Sequence, residues 1–149
     1  MAARRLAREI AVQTLYEMAQ AETPWAHALR SNLERREGGD AEQSYARRVL
    51  ETIEARGDEI RQRIDAALEN WAWERVALVD RCVLQVGCAE ILAFPDVPLR
   101  VSIDEAVEIA RKFSTEESGA FVNGVLDRVA RDAQRPDDGA PTASLEADA

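Results

Sequence analysis

The chain has 149 residues, 46% of them hydrophobic and 32% charged, with a formal net charge of −9 at pH 7. That suits one globular domain with a buried core, and the acidic balance speaks against a general nucleic-acid binder. Cys82, Cys88 and a single histidine, His27, offer no zinc-ligand spacing, so neither a metal nor a cofactor is expected.

The opening MAARRLAREIAV lacks the apolar stretch of a secretory signal, and no apolar run reaches membrane-span length without charge. A cytoplasmic protein that contacts no membrane is the expectation. In RRLAREIAVQTLYEMAQAE, Ala7, Ile10, Ala11, Leu15 and Met18 form one helical stripe. Thr23-Pro24 fits an N-cap followed by proline at the first helical position. The helix it opens carries Trp25, Leu29 and Leu33 and stops at Gly38-Gly39.

Asp40, with Gln43 three residues on, suits the next N-cap. Tyr45, Val49, Ile53, Ile60, Ile64, Ala67 and Trp71 keep helical phase across Gly57, which favours one long helix bent there. A C-cap followed by an N-cap at Gly57-Asp58 is the alternative. After a break at residues 70–74, residues 76–94 read as a helix surrounded by neighbours, with Asp80, Arg81 and Gln85 on one limited arc. Its two cysteines lie six residues apart and point different ways, as buried reduced thiols do.

The PDVP connection ends that helix. Ser102 with Glu105, and Ser114 with Glu117, match capping boxes for two further helices at about 103–113 and 115–132. The last contains SGAFVNGVLDRVAR, in which Asn123-Gly124 is a hairpin-turn signal set among helically spaced Phe121, Val125, Leu126 and Val129. Helix periodicity prevails because no strand flanks the pair. Gly124, lacking Cβ, would then admit a neighbouring backbone or a ligand, and Asn123 would bond a nearby loop or carbonyl. The fold class is all-α, with a domain at 1–133 and an acidic tail at 134–149 expected to be disordered. Arg135 against Asp137, Asp138, Glu146 and Asp148 places −3 of the net charge in the tail, leaving −6 for residues 1–133.

No constellation for catalysis stands out. The glycines after Gly39 are isolated, and no Ser or Cys has an obvious base. His27 reads as a solvated helix residue. The acids Asp104, Glu105, Glu116 and Glu117 suit helix first turns, where the dipole favours negative charge. Trp25, Trp71 and Trp73 read as structural anchors. On the first helix Arg4, Arg5 and Arg8 form a basic spot, and Tyr16 continues roughly the same side. Guanidinium groups that meet phosphates and a ring that stacks a base are how single-stranded RNA is held, whereas an ordinary solvated arginine face is the simpler reading of the spacing.

RRLAREIAVQTLYE, VPLRVSIDEAVEIARKF and FVNGVLD, in that order and spacing, resemble the NusB family of bacterial transcription antitermination factors over nearly the whole chain to about Arg131. The resemblance implies about seven helices in two packed bundles. It implies binding of boxA RNA together with the small-subunit ribosomal protein NusE, within an RNA polymerase antitermination complex that acts notably on ribosomal RNA operons. No cofactor or catalysis belongs to that role, and both monomers and homodimers occur in the family.

Carried onto matching positions, the RNA-binding residues would be Arg4, Arg5, Arg8, Tyr16, Asp80 in VDRCVLQ, Glu117 in TEES and Phe121 in FVNG. An acid such as Asp80 would accept from base amino groups and so confer selectivity. Leu6 interrupts the arginine run and Ala120 precedes Phe121 where some relatives carry a base. With the acidic charge, this predicts weak, salt-sensitive RNA binding that needs the basic ribosomal partner. Two alternatives stay open: an RNA-binding helper of a ribosomal RNA cytosine methyltransferase acting with a separate catalytic chain, and a helical protein-interaction module.

Overall fold

The computed structural model describes residues 2–69 and 71–136, so most of the expected acidic tail lies outside the described residues. Among them the chain forms seven α-helices and no strand: α1 (Ala2–Ala21), α2 (Trp25–Arg35), α3 (Asp40–Ala55), α4 (Gly57–Leu68), α5 (Leu78–Ala93), α6 (Leu99–Phe113) and α7 (Glu116–Asp132). A single 3-10 turn, Trp73–Arg75, leads into α5.

Helices α1, α2 and α3 pack on one another, and α4, α6 and α7 gather with α5 into a second bundle. Because α5 also contacts α1 and α3, it joins the two. That position explains its composition: ten of its sixteen residues are buried, including Cys82 and Cys88, whose thiols burial pushes up to about 12. The two bundles share one continuous apolar core.

The local signals misplace several helix ends. Pro24 rather than Thr23 is the residue before α2, its carbonyl accepting from the amides of His27 and Ala28. Left-handed Glu37 (φ 55) follows α2 ahead of the two glycines. Gly39 rather than Asp40 stands before α3, and Glu42 rather than Gln43 reaches back to its amide at 2.8 Å. Thr115, not Ser114, caps α7 by accepting from the Ser118 amide at 3.1 Å.

Two corrections are larger. The long helix is two, divided at Arg56 (φ −119, ψ 27) while the apolar phase carries through, so periodicity could not reveal the break. And α6 begins at Leu99, after Pro98, which puts Ser102 and Glu105 inside the helix instead of at its start. Both are used in long-range bonds described below.

Gly124 is not a packing device. A Cβ there would meet nothing within 4 Å, and Asn123 beside it is exposed. The close approach of α5 and α7 depends instead on Gly87, where a Cβ would lie 2.6 Å from Leu126 Cδ1. Real side-chain contacts do not approach so closely, so α7 sits against α5 because position 87 has no side chain.

Candidate nucleic-acid interface

Helix α1 delivers its arginines to two different fates. Arg8 is buried, 3% exposed, and its Nε donates to Glu90 Oε2 of α5 at 2.7 Å. Tyr45 Oη donates to the same oxygen at 2.8 Å, and Ser102 Oγ donates to Oε1 at 2.7 Å. Burial and the Glu90 charge together push the Tyr45 hydroxyl well above its ordinary pKa. The expectation that Arg8 shows its charge to RNA is therefore corrected: α1, α3, α5 and α6 all close upon it. Its Nη2 is buried with no hydrogen-bond partner.

Arg4 and Arg5 remain at the surface. Arg5 Nη2 donates to Glu105 Oε2 at 2.7 Å, and this bond holds the Glu105 carboxyl below its ordinary range. Arg4 lies 4.8 Å from the Tyr45 ring centre and 3.8 Å from Asp96. Together with Arg36 and Lys112, which both grip Glu9, these arginines line a groove of about 800 Å³. Leu6, Val97, Pro98 and Val101 form its apolar side. Apart from the buried Arg8, whose charge Glu90 meets, four cations face two carboxylates there, so the groove is locally basic on an acidic chain.

The opposite end of α5 builds a second site. Arg8 faces Glu90 while Val12 shares a small cavity with Val83 and Val86, so α1 and α5 run antiparallel. Tyr16, about 12 Å beyond Arg8 at the helical rise, is thereby carried toward the start of α5. It is half-buried and lines neither groove.

Asp80, in the first turn of α5, is 6% exposed. Its Oδ2 accepts from Ser118 Oγ at 2.9 Å, and its Oδ1 is buried without a partner. Burial raises its pKa, opposed by the Ser118 hydrogen bond and by the nearby Ser114 hydroxyl. Asp80, Glu117 and Phe121 line one cavity of about 310 Å³ with Trp71 and Arg75. Across Trp71 and Phe121 it adjoins a groove of about 550 Å³ that Gly124, Arg128 and Arg131 help to line.

The structure thus brings Asp80, Glu117 and Phe121 together, and Arg4 and Arg5 together, in separate grooves. Trp71 does not anchor the core. It is 48% exposed, at the seam of the two cavities, with the Arg75 guanidinium 5.8 Å from its ring centre. Its place in the break before α5 was the available signal. Trp25 does anchor, donating from Nε1 to Glu54 at 3.1 Å. Nothing local could nominate Arg36, Lys112, Arg128 or Arg131, which tertiary packing carries to the grooves. Among the described residues no group of three His, Cys, Asp or Glu side chains could hold a metal, and no helix is long and apolar enough to cross a membrane.

The chain is thus a small two-bundle helical protein with a basic groove and a separate acid-and-aromatic one. The NusB family model matches residues 5–131, and the chain belongs to that family. The transcription antitermination protein NusB of Myxococcus xanthus is 41% identical over 140 residues, which cover 91% of this chain and all of that one. A crystal structure of T. maritima NusB superposes with a TM-score of 0.82 at 34% identity, covering 91% of this chain and 94% of that one. A chain from the crystal structure of antitermination factors NusB and NusE in complex with dsRNA shares the fold, with a TM-score of 0.78 at 24% identity over 89% of this chain and 98% of its own.

Proposed function

We propose that the protein is a cytoplasmic transcription antitermination factor that acts by binding alone. It holds boxA-type RNA together with the ribosomal protein NusE and so helps RNA polymerase read through terminators, notably in ribosomal RNA operons. The observation that carries the RNA reading is Asp80: a buried carboxylate whose Oδ1 has no partner, set in a cavity with the rings of Trp71 and Phe121. A base stacked on such rings would offer its amino group to that acceptor, which phosphate contacts cannot do.

Arg4 and Arg5 supply the charge that draws the phosphate backbone. The overall negative charge limits affinity for RNA alone, while it suits a basic protein partner. Co-purification with NusE, with and without boxA RNA, tests the reading. A ternary complex tighter than either binary one is expected; failure of the three to assemble would overturn it.

A further inference from the structure

The basic groove lies beside the point where the chain leaves the described structure. After α7, Arg135 turns back onto the last turn of α5 and the α5–α6 connection, where its guanidinium donates to the carbonyls of Ile91 and Val97. Val97 is also part of the apolar side of the basic groove. In the sequence, Asp137 and Asp138 follow Arg135 by two and three residues.

We propose that the acidic segment 137–149 docks into this groove and competes there with RNA phosphate. The segment carries Asp137, Asp138, Glu146 and Asp148 and no cation, while the groove presents Arg4, Arg5, Arg36 and Lys112 against Glu9 and Glu105. Four negative charges thus meet a net two positive ones. Thirteen residues at roughly 3.3 Å each reach about 40 Å when extended, enough to cross a groove that starts at the segment's root.

The apolar chemistry matches as well. Val101, 39% exposed, stands in the groove wall with Leu6 and Pro98, and the segment offers Leu145 directly before Glu146. Arg8 Nη2, buried beside the groove without a partner, adds an unmet donor to that wall. Because the segment is tethered, even weak contacts act at high effective concentration. The docking stands on these residues alone; the competition rests on the RNA reading given above.

Both parts can be read in the full-length chain. Cys82 and Cys88 are buried, with thiols pushed up to about 12, so a spin label reacts selectively at Ser144→Cys. At low salt the label should broaden the amide signals of residues 4–9, 97 and 99–101. The effect should vanish at high salt and in a variant combining Asp137→Asn, Asp138→Asn, Glu146→Gln and Asp148→Asn. No broadening there, or broadening confined to another face, overturns the docking.

The neutralised variant should bind single-stranded boxA RNA roughly threefold or more tightly than the natural chain at low salt, the two converging as salt screens both contacts. Equal affinity at all salt concentrations overturns the competition. If neither chain binds RNA, the RNA reading fails and the label still decides the docking.

Discussion

Arg8 of α1 and Glu90 of α5, eighty-two residues apart in sequence, meet at 2.7 Å with 3% and 1% of their side chains exposed. Tyr45 and Ser102 complete the carboxylate's hydrogen bonds, so four helices close on one buried ion pair. Removing one partner leaves the other charged and desolvated. Arg8→Ala or Glu90→Ala should cost about 3–5 kcal/mol in denaturant unfolding. The double variant Arg8→Met with Glu90→Leu should recover much of that, since no lone charge remains.

Gly87 and Gly124 should respond oppositely. Gly87→Ala forces a Cβ against Leu126, itself buried within the core, and should cost about 1–3 kcal/mol by overpacking. Gly124→Ala fills open space on a helix and should gain up to about 1 kcal/mol from propensity. Gly124→Leu should keep the melting temperature yet weaken RNA binding, because its side chain would enter the groove beside Phe121. Thermal melts paired with RNA titrations separate the two effects.

Trp71 and Phe121 bracket the Asp80 cavity, but only Phe121 packs on the core. Trp71→Ala should weaken single-stranded RNA binding by about 1–3 kcal/mol, the range for loss of one stacked base, with little change in unfolding. Phe121→Ala should lower both. Unaltered RNA affinity in Trp71→Ala would place the stacking surface elsewhere.

Asp80 and Glu105 predict opposite pH responses. Glu105 is held below its ordinary 4.5 by Arg5, so its pair contributes stability above that value, lost as pH falls through the depressed folded value. Glu105→Gln should flatten that acid limb. Asp80 is raised above its ordinary 3.8 by burial, so its ionisation costs stability as pH rises from there through the folded value. Asp80→Asn should therefore raise the melting temperature at neutral pH, leave it unchanged at pH about 3, and still weaken RNA binding. Melts across pH 3 to 8 read both signs.

Arg4→Ala and Arg5→Ala should each lower RNA affinity and reduce the slope of log K against log salt by about one unit for a lost phosphate contact. Salt titration of each variant measures this directly. An unchanged slope in both would remove the basic groove from the RNA path.

The sequence by itself determined the helical class, the apolar stripes of α1 and α3, the buried character of α5 and the break before it. These depend on periodicity and on residues a few positions apart, which the chain carries locally. Helix ends were legible to within a few residues, because Ser, Thr, Asp and Glu satisfy orphan amides at a terminus and distant partners equally well. Ser102 and Glu105 look like a capping box, yet serve Glu90 and Arg5.

Which charges face solvent was a tertiary decision. Arg4, Arg5 and Arg8 are alike in sequence, but only packing of α5 and α6 against α1 puts a buried carboxylate beside Arg8 and leaves the other two at a groove. In the same way, Gly87 and Gly124 are both helical glycines, and only the crossing of α5 and α7 makes one indispensable to close contact and leaves the other facing open space. Desolvation and van der Waals exclusion act between whichever atoms the fold brings together, and most of those atoms are distant in the chain.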